Sequence, residues 1–200
     1  MSDLSDLLVT TQSLVDRAAA HLDGDLNREQ IQLYVLAFSA AELAAAREAF
    51  AVLPLAPPGD QELLAQVANT FAAEAIGSVL QRLQVRLASY GLTAAELPPN
   101  WPTLAGVHLA PEALAALGQA VLDRGGDLPI VGLDDEKAMM RDTFRQFATE
   151  VVMPRAEHVH RNDAMIPDEI INPLKEMGCF GLSVPQRFGG LKPDNFEDSM

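Results

Sequence analysis

The stretch GCFGLSVPQRFGG, residues 178–190, decides how this chain is read. Four glycines and Pro185 fall here in a chain otherwise dominated by helix formers. A glycine-rich run can cradle a phosphate, expose a nucleophile or turn the backbone sharply. A nucleophile elbow needs G-x-S-x-G after a strand; here Gly181-Leu-Ser183-Val is followed by Pro185, and no strand pattern precedes it. A dinucleotide fingerprint needs G-x-G-x-x-G between strand and helix. These glycines stand at 178, 181, 189 and 190, behind a helical pattern. The structural reading remains: Gly178 stops a helix, Gly181 permits a close approach, and Gly189-Gly190 makes a turn at positive φ.

Working back from that stretch, residues 131–200 read as short helices. Asp134 or Asp135 caps a helix whose Met140, Phe144, Phe147 and Val151 fall on one stripe. Pro154 has no amide proton for the carbonyl of Glu150, so a kink or an end is expected there. A further helix opens at Pro167-Asp-Glu and closes at Gly178. Pro173 is expected to split it, with Asn172 capping the second piece.

Composition changes upstream. Residues 1–130 hold 26 alanines, six arginines and no lysine, whereas residues 131–200 hold four alanines and all three lysines, Lys137, Lys175 and Lys192. The shift coincides with the breaker cluster Arg124-Gly-Gly-Asp-Leu-Pro129, which places a domain boundary there. Residues 1–130 read as a helical bundle. One helix runs from about Ser5 to Leu22 and ends at Gly24. Asn27 then caps a second, with Gln30 as its capping-box partner. This helix is apolar around most of its circumference, IQLYVLAFSAAELAAA, and is expected at the centre of the bundle. Asp60 caps a third, predicted to run to about Tyr90 with Leu64, Val67, Phe71, Ala75, Val79 and Leu83 facing the core. Thr93-Ala-Ala-Glu96 is a capping box, LPPNWPT reads as loop, and Pro111 suits the first turn of a last helix. No alternating β-branched run predicts a sheet, so the fold class is all-α.

Charge and cysteine usage narrow the function. Only 14 Lys+Arg oppose 28 Asp+Glu, a net charge of −14, which argues against a nucleic-acid partner or an anionic membrane surface. Cys179 is the single cysteine, so neither an internal disulfide nor a thiolate zinc site forms within one chain, and a cytoplasmic setting is expected. The N-terminus lacks a signal-peptide pattern, and its longest uncharged stretch falls short of the ~20 residues needed to cross a bilayer. A soluble protein without a membrane span is the expectation.

The remaining chemistry-bearing residues read as structural. His158 and His160 are two apart and point to opposite sides of a helix, and Asp163 does not repair that geometry, so no metal site is assigned. Cys179, between Gly178 and Phe180, reads as a packed small residue. The acidic clusters Asp134-Asp135-Glu136 and Glu197-Asp198 suit helix starts. Trp101 reads as a loop anchor against the bundle.

One pattern is more specific than any of these. Phe147-Ala-Thr-Glu150 is followed after three residues by Pro154-Arg-Ala156. Then come Pro167-Asp-Glu169, Leu174, Gly178, Gly181, Pro185 and Phe188-Gly-Gly190 at fixed gaps. Over residues 133–194 this order resembles the opening of the N-terminal α-domain of the acyl-CoA dehydrogenase family. Pro173 and the His158/His160 pair depart from or vary within that pattern. The resemblance leaves residues 1–130 uncovered. A helical extension of this length is similar to that of one branch of the family, which oxidises a methyl-branched dicarboxylic acyl-CoA.

The resemblance implies an FAD enzyme acting on an acyl-CoA thioester. In such enzymes a carboxylate takes the α proton while the β hydride passes to flavin, and electrons leave to an electron-transferring flavoprotein. It also implies a homo-oligomer, dimer or tetramer. The flavin-binding and base-bearing parts of relatives follow the matched segment, so FAD is expected to be held mainly by residues beyond Met200. Asp194 and Glu197 read as a capping pair opening a helix one turn before Met200, so the acyl-CoA dehydrogenase-like domain is expected to be incomplete. No catalytic, flavin-contacting or metal-binding residue is therefore assigned. Within this reading the extension is expected to pack on the enzyme core. The alternative reading is a non-catalytic helical interaction module.

Overall fold

The computed structural model describes residues 4–192. The protein is all-α: among the described residues there is no strand, only an isolated bridge between Pro185 and Lys192. The chain divides into two compact units, Met1–Gly132 and Leu133–Met200.

The first unit contains α1 (Leu4–His21), α2 (Leu26–Ala51), α3 (Gln61–Gln84), α4 (Trp101–Leu109) and α5 (Pro111–Leu122). Its core is a leucine–alanine interior. Leu4, Leu7, Leu8, Thr11, Leu14, Val15 and Ala18 give α1 a stripe at three- and four-residue steps, and all are buried. From α3 come Ala72, Ala73, Ala75, Ile76, Val79, Leu80 and Leu83, and from α2 Leu36, Leu43 and Ala46. Burying one such leucine or isoleucine contributes about 1.5–3 kcal/mol, so the unit has a core of ordinary strength.

The central helix is α3, which touches α1, α2, α4 and α5. That corrects the expectation for α2. Its apolar circumference does not mean centrality: it buries only Leu36, Ser39, Leu43 and Ala46 and leaves Ile31, Tyr34 and Phe38 exposed. The alanines of α3 explain the exchange, because small side chains let four neighbours approach one axis. Its buried face is also wider than the predicted stripe: Ala75, Val79 and Leu83 are buried, Leu64 and Val67 are half-buried, and Phe71 is exposed. By length and composition α3 could cross a bilayer, with a mean hydropathy of 1.3, but half of that window is buried within the unit. A core helix has this composition for the same reason a span does.

Several boundaries differ from the sequence expectation, each for a local reason. Asp25, not Asn27, caps α2: its carboxylate accepts the amide of Asn27 at 2.9 Å. Glu29 rather than Gln30 reaches back, accepting the amide of Gly24 at 2.9 Å. Asp60 stands at the N-cap of α3 but makes no capping hydrogen bond there; it pairs instead with Arg124. The third helix ends at Gln84, and Leu87–Tyr90 forms a separate 3-10 turn. Trp101 packs against the bundle core as read, but from a helix and not a loop: it opens α4, with Pro102 in the first turn where the missing amide costs nothing. The capping box at Thr93 and Glu96 forms as read, and Pro111 opens α5.

The second unit contains α6 (Asp135–Phe147), a π-turn (Ala148–Val152), α7 (Met153–Arg161) and α8 (Asp168–Glu176), followed by two short 3-10 turns. Asp134 caps α6, accepting the amide of Lys137 at 2.8 Å. The helix α8 is continuous through Pro173, contrary to the expected split. Pro173 withholds an amide only from Glu169, in the exposed first turn, where water can serve that carbonyl. Beyond it the ladder resumes, with the Met177 amide on the Pro173 carbonyl at 2.9 Å.

Candidate functional site

The second unit carries the pattern that sequence singled out. In it the predicted kink at Pro154 takes a definite form. Pro154 cannot serve the carbonyl of Glu150, and the ladder slips by one residue: the Met153 amide donates to the Ala148 carbonyl. The chain then restarts as α7 with Pro154 in its first turn. The Arg155 guanidinium donates to the Val151 carbonyl at 2.7 Å, supplying a bond within the widened turn. Turns of this kind recur at functional sites. The sequence showed the proline but not the slip; Arg155 next to Pro154 was the available signal.

The helix α8 packs beside this π-turn and ends at Gly178, whose φ of 77° confirms the predicted stop. The chain then folds into a loop closed by its own backbone. Leu191 donates to the Gly181 carbonyl at 2.8 Å, Lys192 to Val184 at 3.0 Å, and Gln186 to Lys192 at 2.9 Å. Gly189 makes the turn at φ 83°. The close approach belongs to Gly190 rather than Gly181: a Cβ on Gly190 would lie 1.9 Å from the Val184 carbonyl oxygen, while one on Gly181 would make ordinary contacts from 3.7 Å. Leu191 lies over Gly178, where a Cβ would come within 2.8 Å of its Cδ1.

This loop does not fit the pyrophosphate of a flavin nucleotide. A phosphate cradle needs amides free to point at the ligand, yet the amides of 181, 184, 186 and 188–192 all donate to carbonyls within the segment. The glycines shape backbone.

The other singled-out residues do not converge. His158 and His160 lie in the last turn of α7, both exposed, and Asn162 Nδ2 sits 3.2 Å from His158 Nδ1. Asp163 follows in a turn at φ 47°. Cys179 is half-buried on the first 3-10 turn. Among the described residues no three His, Cys, Asp or Glu side chains gather around one point. The Lys137 ammonium and amide hold the Asp134 carboxyl below its ordinary range, which fits a helix cap. Trp101 packs against Gly77 in the first unit, and Asp194, Glu197 and Asp198 lie outside the described residues.

The apolar surface is more informative. Ile170 is the one buried hydrophobic among the described residues of this unit, while Met139, Met140, Met153, Met165, Ile166, Phe180, Leu182, Phe188 and Leu191 are exposed. The described helices do not cover these faces.

Residues 134–200 match the family described as acyl-CoA dehydrogenase, N-terminal domain. Over 60 residues the chain is 54% identical to (2S)-methylsuccinyl-CoA dehydrogenase of Cereibacter sphaeroides. That alignment covers 30% of this chain and 11% of the relative. The family match lies within the second unit.

Proposed function

We propose that this chain is the N-terminal portion of an FAD-dependent acyl-CoA dehydrogenase that oxidises (2S)-methylsuccinyl-CoA to mesaconyl-CoA and passes electrons to an electron-transferring flavoprotein. The observation that carries this reading is the family match at residues 134–200, together with the 54% identity over 60 residues of the chain to a methylsuccinyl-CoA dehydrogenase. The exposed methionine and phenylalanine faces support it: a helical layer of this composition is stable when further parts of an enzyme pack on it.

In this reading the described residues act as scaffold. The π-turn at 148–152 sets the direction of α7, and the closed loop 181–192 fixes how the chain leaves α8. The flavin contacts and the base are contributed by parts of the enzyme other than these residues. The extension formed by the first unit packs on that enzyme core, since residues such as Val107, Leu114 and Leu122 are exposed in it.

The test is turnover of the full-length polypeptide containing this segment, with a panel of acyl-CoA thioesters and an artificial electron acceptor. (2S)-Methylsuccinyl-CoA is expected to be the preferred substrate. Preference for a straight-chain acyl-CoA would overturn the substrate while keeping the reaction class.

A further inference from the structure

The α5 helix is held unlike its neighbours in the first unit. None of its residues is buried, against seven in α1 and ten in α3. The core formed by α1, α2, α3 and α4 draws on no residue of α5. Its half-buried residues are Ala113, Leu117, Ala120 and Val121, so small side chains make up half of the face it turns inward.

Between that face and α3 lie two clefts that meet at Gln66. One, of about 270 Å³, is bounded by Gln66, Asn69 and Thr70 of α3, His108 of α4 and the alanines 113 and 116. The other, of about 280 Å³, lies among Gly59, Glu62, Gln66, Ala120 and Arg124. A helix that completes a core rests on apolar side chains. Here the surface beneath it offers carboxamides, a hydroxyl and an imidazole, groups that lose little by meeting water. The fastenings are at the ends of the helix. At the first, one extended residue, Ala110 at ψ 140°, separates α5 from α4, and the two axes are bent by 41°. At the second, Arg124 in the turn after α5 pairs with Asp60 and donates to the Gly59 carbonyl at 2.9 Å. Gly118 lies within the helix with open space where a Cβ would stand. A helix of 12 residues with an interior glycine holds itself poorly without packing.

We propose that α5 is a lid, hinged at Ala110 and latched by Arg124 to the α2–α3 turn, that swings away as one piece and bares Gln66, Asn69 and Thr70 on α3. Opening exposes little new apolar area, because no side chain of the lid is fully withdrawn from water, and it leaves the core intact. The latch sets how often the lid opens. Arg124 and Asp60 are partly exposed, and a pair of that kind changes an opening equilibrium about two- to fivefold. This inference uses only the first unit, so its failure leaves the dehydrogenase reading untouched.

Hydrogen exchange of the whole chain, followed by mass spectrometry, tests it. The amides of residues 112–122 should exchange together, at least about ten times faster than those of residues 76–80 in α3. Arg124→Gln should speed the whole α5 block about two- to fivefold and leave residues 76–80 unchanged. Arg28→Gln, which removes an exposed ion pair at the start of α2, is the control and should leave α5 as it was. Unaltered circular dichroism shows that both variants fold. Protection of α5 equal to that of α3 overturns the lid. A rise confined to the last turn of α5 is end fraying, an equal rise in α3 is global unfolding, and either overturns it too. An α5 block indifferent to Arg124→Gln overturns the latch.

Discussion

Gly190 lies against Val184 so closely that any side chain at 190 would overlap the Val184 carbonyl oxygen, at 1.9 Å. The neighbour is backbone, held by the Lys192 amide at 3.0 Å, and cannot turn aside. Gly190→Ala should therefore open the loop and destabilise the second unit by about 2–4 kcal/mol. Gly181→Ala, with contacts from 3.7 Å and no positive φ, should cost under about 1 kcal/mol. Hydrogen exchange at the amides of Leu191 and Lys192 separates the two: fast in the first variant, protected in the second.

Pro173 should be a net cost to α8. Restoring the amide in Pro173→Ala recreates the bond to the Glu169 carbonyl and removes the ring clash, together up to about 3 kcal/mol. The freer unfolded chain takes back up to about 1 kcal/mol. Thermal unfolding should show a raised midpoint. An unchanged or lowered one would mean that Pro173 is already accommodated without strain.

Trp101 reports on the α3–α4 contact. It is the single tryptophan, and a Cβ on Gly77 would lie 3.2 Å from its Cζ3. Gly77→Ala asks the indole to move by a few tenths of an ångström, with a small loss of stability. Gly77→Leu should expel it, shifting fluorescence emission to longer wavelength. The Ala variant should retain the wild-type spectrum; loss of that difference would place Trp101 elsewhere.

Glu96 joins the Thr93 capping box to Arg17 on α1. The guanidinium first, then the Thr93 hydroxyl and amide, hold its carboxyl down at about 2, against 4.5 for the free group. A depressed carboxyl stabilises the fold above its unfolded pKa, and that stability is lost as pH falls through the folded value. The difference in urea midpoint between wild type and Glu96→Gln should be full near neutrality and shrink between pH 4.5 and about 2. Asp23, Asp25 and Asp134 are lowered in the same direction, so only the difference isolates Glu96. A difference constant with pH would contradict the assignment.

Much of this was legible in the sequence because it rests on local chemistry. The stop at Gly178, the turn at Gly189, the cap at Asp134 and the capping box at Thr93 need only neighbours a few residues away. What failed depended on distant partners. Asp60 looked like a cap, but Arg124, in the turn after α5, claims it. The α2 helix looked central because periodicity reports how apolar a face is, not whether something covers it. Gly190 rather than Gly181 meets a neighbour because the loop folds back from Leu191, which no spacing rule foresees. The site itself could not be read from single residues; only the ordered pattern from Phe147 to Gly190 carried it.

The central claim is that the second unit is scaffold for a flavin site completed elsewhere in the enzyme. Anaerobic titration of the full-length, natively purified polypeptide with (2S)-methylsuccinyl-CoA tests it most directly. Bound flavin should bleach in proportion to substrate. A polypeptide that binds no FAD, or whose flavin stays oxidised with every acyl-CoA thioester offered, would contradict it.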